Sequence, residues 1–141
     1  MNLYRKDAWH ALTLLATAAA VLTLGMVLSS CSKEAGEGGL GTIRGRVYGY
    51  DYNAAGILHD SGYVGGVRVY ISYGDHTWVD DDVRTSASGD FAFQGLHKGH
   101  YTLMVISECD SCNFNQSYVT QQANLESEEQ ELTLPDFIIR D

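Results

Sequence analysis

The chain has 141 residues, 45% of them hydrophobic and 19% charged, with 15 Gly, one Pro, three Cys and a formal net charge of -9. That is material for one domain, and 9 basic residues against 18 acidic ones argue against a protein that grips the phosphates of nucleic acid. The aromatic residues of the second half argue equally against a disordered chain.

Residues 1–30 open with Arg5 and Lys6 and continue into an uncharged run of 18 residues, Ala11 to Leu28. The pattern marks an export signal. The run also reaches the lower limit for a membrane-spanning helix, so a retained anchor stands as the alternative. Leu28-Ser29-Ser30-Cys31 resembles the bacterial lipoprotein signal, in which small residues precede a cysteine that is acylated on sulfur and becomes the new N-terminus. The resemblance implies a lipid anchor at Cys31 and, with several acyl chains, firm attachment to a membrane. Ser32 fits onward sorting to an outer membrane, and Ser32-Lys33-Glu34 resembles the acidic export tags of surface lipoproteins in the Bacteroides group. The expected location is therefore the bacterial cell envelope, on an outer membrane and exposed at the surface. Loss of Arg5, Lys6 and Asp7 leaves 7 basic and 17 acidic residues, a net charge of -10, on a surface that anionic headgroups repel. Residues 31–41 read as the lipidated cysteine and a Gly-rich flexible tether spanning roughly 17 Å.

From residue 42 to 141 the chain breaks into short alternating apolar runs separated by Gly, Asp, Ser and Asn. Ile43, Gly45 and Val47 share one face of a first strand, with Arg44, Arg46 and Tyr48 on the other. Val67, Val69 and Ile71 form the inward face of a second, leaving Arg68 and Tyr70 outward. A third run covers about 78–85, a fourth Phe91 to Phe93, and a fifth faces Tyr101, Leu103 and Val105 inward. Weaker strands are expected near Tyr118 to Thr120 and over Gln130 to Ile139, where Pro135 makes an edge strand or splits the segment in two. The reading is an all-β, seven-stranded antiparallel Greek-key sandwich.

Ile43-Arg44-Gly45-Arg46-Val47, Gly66-Val67-Arg68-Val69-Tyr70 and the long block from Val83 to Leu103 resemble the carboxypeptidase regulatory-like and Cna-B-like domain group. In the last block Ser88-Gly89 turns the chain, Phe91 and Phe93 enter the core, Leu96 plugs an end, and Gly99 allows a positive φ before Tyr101. The resemblance implies a transthyretin-like (Ig-like) fold and a role as stalk, spacer or accessory domain without catalysis. Some Cna-B domains cross-link a Lys through a buried acid. Lys98 is the sole lysine of residues 42–141 and sits in a turn, which speaks against such a bond.

Cys109 and Cys112 pair once Cys31 carries lipid, and an exposed compartment favours a structural disulfide over a redox motif. A zinc site joining them to His97 and His100 is blocked by one extended strand that separates the two by about 30 Å. His97 and His100 should instead lie near His76, where three histidines could take a transition metal or simply stand solvated. Asp80 and Asp82 offer a hard cation such as calcium two carboxylates, or else protect an edge strand by charge. The stretch 51–56 starts like an EF-hand loop but lacks the oxygen at its fifth position and the bidentate Glu. Tyr48, Tyr50 and Tyr52 alternate onto the solvent face of the first strand beside Arg44 and Arg46, with Tyr70 and Trp78 as further candidates. Exposed aromatics with a polar handle suit sugar rings or protein partners, and equally suit cross-strand packing.

The leading functional expectation is a non-enzymatic, lipid-anchored binding or structural module of the envelope, with a protein or glycan partner, no nucleic acid and no obligatory cofactor. A metal-binding surface lipoprotein is the alternative. A transthyretin-like hydrolase fits less well, because the chain ends Phe137-Ile138-Ile139-Arg140-Asp141 in place of the Tyr-Arg-Gly-Ser tail of those enzymes.

Overall fold

A computed structural model describes residues 34–140. The expected export signal and Cys31, the residue expected to carry lipid, lie outside the described residues. Among the described residues there are nine strands, no α-helix and one short 3-10 turn at Asn113–Asn115. The strands are β1 Glu37–Tyr52, β2 Leu58–Tyr63, β3 Arg68–Tyr73, β4 Asp81–Arg84, β5 Asp90–Leu96, β6 Gly99–Glu108, β7 Gln116–Leu125, β8 Glu131–Thr133 and β9 Phe137–Arg140.

Two sheets form a sandwich. In one, β1 runs up the centre. Val47 shows the flanks directly, since its N–H donates to Gly89 and its carbonyl accepts from Val64, both on one side. That side carries β5 and then β2, each antiparallel to β1. On the opposite side Thr42 N–H donates to Gln130 and Arg44 carbonyl accepts from Leu134, and β8 followed by β9 runs parallel to β1. The second sheet has the order β4-β3-β6-β7, antiparallel throughout.

The core fills the space between the two layers. Ile43, Val47, Val69, Leu103, Val105 and Phe137 are wholly buried, and Phe91, Phe93, Leu96, Tyr101 and Leu125 join them. These are the inward members of alternating strands, so the period-two pattern alone sets which side chains leave water. Phe91 meets Phe93 edge-on at 6.2 Å and Phe137 at 5.8 Å. Gly45 is the small residue that admits the Phe91 ring, since a Cβ there would stand 2.8 Å from Phe91 Cζ. The buried polar side chains are used as ties. Thr85 donates to Val64 and accepts from Val67 N–H, closing the loop into β3, and Ser107 Oγ accepts the Arg140 N–H at 2.8 Å, joining the sheets.

The expected all-β sandwich is present, with three corrections. There are nine strands where seven were expected: a polar strand β2 was added, and Pro135 splits the last segment into β8 and β9. The sheet around β1 is mixed, where an antiparallel one was expected. The run expected to be a flexible tether to residue 41 is already strand from Glu37. Gly39 lies so close to the Leu96 carbonyl that a Cβ would sit 2.1 Å from its oxygen, and one on Gly41 would meet Leu125 at 2.7 Å. Its glycines allow close docking here, where their composition had suggested freedom.

Candidate functional site

β1 turns its even-numbered residues outward, away from the core: Arg44, Arg46, Tyr48, Tyr50 and Tyr52 form one row on the outer face of its sheet. Register places Tyr63 of β2 opposite Tyr48 on one flank and Arg140 of β9 opposite Tyr50 on the other. The rings interlock. Tyr48 meets Tyr50 at 5.3 Å and 63° and Tyr63 at 5.2 Å and 86°, both edge-on, and Tyr50 lies 6.5 Å from Tyr52. Edge-to-face contact is the arrangement that ring quadrupoles favour.

Charged groups hold the two ends of this cluster. Arg46 lies over the Tyr63 ring at 4.2 Å and reaches Asp136 at 3.5 Å, while Tyr63 donates its hydroxyl to the same carboxylate at 3.0 Å. That hydrogen bond to a carboxylate holds the Tyr63 proton above the usual phenol range. At the other end Arg140 lies over Tyr52 at 4.7 Å and pairs with Asp110 at 3.0 Å. Asp110 stands inside the Cys109–Cys112 disulfide loop, so the expected disulfide is formed and its loop supports one end of the face. Tyr48 also donates to Ser61 at 3.2 Å. Each ring is thus oriented by a neighbour before any ligand arrives.

An open groove of about 800 Å³ begins at Arg44 and Arg46 on this face and is bounded by Ala92, Asp90 and Asp136 and, from β4 of the other sheet, by Arg84. Ala92 lies opposite Arg44 in register, and its small side chain leaves the hollow. Arg44 pairs with Glu131 at 3.0 Å.

Two of the expected aromatic members are elsewhere. Tyr70 stands on β3, opposite Met104 and Asp82 on the outer face of the other sheet, because it alternates with the buried Val69 and Ile71. Trp78 lies in the β3–β4 loop, stacked on His76 at 4.3 Å and donating to Asp80 at 2.9 Å. Sequence reasoning missed Tyr63, Asp136, Arg140 and the Arg84 groove.

The metal candidates do not converge. His76, His97 and His100 do share one end of the sandwich, where Gly74 N–H bonds the His100 carbonyl. Each of the first two is nevertheless occupied, His76 with Asp80 and His97 with Glu128, both at 2.9 Å. Asp80 turns back to accept the Tyr73 N–H at 2.7 Å, whereas Asp82 pairs with Arg68 at 3.4 Å. Among the described residues no group of three or more His, Cys, Asp or Glu side chains is placed to hold a metal ion. Of the stretch 51–56, Asp51 and Tyr52 end β1 and the rest lies in the β1–β2 turn, with Asn53 Oδ1 accepting the N–H groups of Ala55 and Ile57.

No protein-family model matches the chain, and no curated protein matches it at a significant level. Among solved structures it is similar to the crystal structure of "a putative carbohydrate binding protein" from Pseudomonas aeruginosa, with 14% identity and a TM-score of 0.45 over 76% of this chain and 92% of that one.

Proposed function

We propose that the chain is a non-enzymatic binding module of the bacterial cell envelope, held to an outer membrane by lipid at Cys31 and resembling the carboxypeptidase regulatory-like group, and that it binds glycan on the outer face of β1. The observation that carries this reading is the pre-oriented cluster of Tyr48, Tyr50, Tyr52 and Tyr63 on an exposed sheet. Rigid rings with hydroxyl tips cover the apolar face of a sugar at little entropic cost, and their hydroxyls satisfy its polar rim.

The test is a glycan array followed by titration calorimetry on hits, comparing the native chain with the Tyr48→Ala, Tyr50→Ala double variant. At about 0.5–1.5 kcal/mol for each aromatic contact, the double variant should lose roughly five-fold to 150-fold in affinity, with a cooperative melting transition showing that the fold is kept. Binding that survives the double substitution, or an array with no hit, refutes the reading.

A further inference from the structure

The described residues hold six Lys and Arg side chains, Arg44, Arg46, Arg68, Arg84, Lys98 and Arg140, and three of the six line the groove next to the tyrosines. In a chain of net charge -9 that concentration stands out against the rest of the surface. Arg44 and Arg46 are each engaged by a carboxylate, Glu131 and Asp136. Arg84 differs. Its guanidinium donates through one nitrogen to the Gly66 carbonyl at 2.7 Å and ion-pairs with no carboxylate among the described residues. Most of its donor fork is left open on the groove wall, and a planar carboxylate is the group that fork accepts in a bidentate manner.

We propose that this groove is a subsite for an acidic sugar, with the ligand's carboxylate on Arg84 and its hydroxyls on the neighbouring Asp90 and Asp136. The inference rests on the glycan reading above and narrows it to glycans that carry a uronic-acid type unit. Continuity supports it: Arg44 and Arg46 share the outer face of β1 with Tyr48 and Tyr50, and the stretch from Arg44 to Tyr50 spans about 20 Å at strand rise. One oligosaccharide can then lay neutral rings on the tyrosines and place an acidic ring in the groove. The volume of about 800 Å³ falls within the usual range for such sites. The overall negative charge repels dense polyanions, so it favours isolated acidic units within an otherwise neutral chain.

The experiment titrates the detergent-solubilised full-length chain with oligosaccharides bearing one terminal glucuronate and with their carboxyl-reduced, neutral counterparts. The acidic forms should bind about ten-fold more tightly, as a charge-assisted bidentate contact implies, and Arg84→Gln should bring the two affinities together. Arg84 is exposed, and a melting curve of the variant checks that the fold is kept. Equal binding of acidic and neutral forms by the native chain overturns the acidic subsite while leaving the glycan reading in place. A preference that persists in Arg84→Gln overturns it too, and binding of neither form overturns both.

Discussion

Tyr101→Phe tests whether the start of β1 is fastened to the sandwich. Tyr101 is 1% exposed, and its ring meets Tyr73 edge-on at 5.8 Å and 81°. Its hydroxyl donates to the His97 carbonyl at 2.5 Å and accepts the Gly36 N–H at 3.1 Å, tying the chain just before Glu37 to the β5–β6 turn. Burial raises its pKa above the ordinary phenol value, so the group stays protonated and able to donate. The substitution keeps the ring and removes one donor and one acceptor, leaving two backbone groups to find other partners. The expected cost is about 1–3 kcal/mol. For a domain near 100 residues each kcal/mol lowers the melting temperature by about 4–8 °C. Calorimetry should therefore show a drop of several degrees, and amide exchange at Gly36 and His97 should quicken, since His97 N–H bonds the Gly36 carbonyl. A shift under about 2 °C with unchanged exchange would refute the reasoning.

Replacing both Cys109 and Cys112 by Ser should cost about 2 kcal/mol or less, because the bond closes a very short ring; a urea midpoint shift worth more than about 4 kcal/mol would contradict this. The same variant should loosen the Arg140–Tyr52 contact through Asp110, visible as broadening of the Tyr52 ring signals. Asp80 supplies a pH dependence. Burial raises its proton affinity, but the Tyr73 N–H, the His76 ring and the Trp78 N–H together outweigh that and hold it below the usual carboxylate value. A folded value below the unfolded one means that the stabilisation is present above about pH 4 and is lost as pH falls through the folded value. Melting temperatures of Asp80→Asn should accordingly fall less between about pH 4 and pH 2 than those of the native chain; parallel curves would count against the ionised role.

The strands that carry the core were readable because their burial obeys a period of two. Ile43 and Val47, Val69 and Ile71, Phe91 and Phe93, and Tyr101, Leu103 and Val105 all face inward as that rule requires. β2 escaped it for a physical reason. Leu58-His59-Asp60-Ser61-Gly62-Tyr63 buries no side chain and is held by its backbone ladder to β1, so hydrophobic alternation had nothing to report. The parallel pairing of β8 and β9 was equally hidden, since it follows from where the chain returns after β7 rather than from any local pattern.

The binding face divides in the same way. Alternation put Tyr48, Tyr50 and Tyr52 on the outer face of β1 beside Arg44 and Arg46, and that placement holds. What orients the rings comes from far along the chain. Asp136 receives the Tyr63 hydroxyl across 73 positions, and Arg140 reaches Tyr52 only because β9 lies in register with β1. Tyr70 shows the converse: it also alternates with core residues, yet β3 belongs to the other sheet, so facing outward there means facing away from the tyrosine row. Parity along a strand decides whether a side chain meets solvent. Sheet membership decides which other side chains it meets there, and with them what the surface can bind.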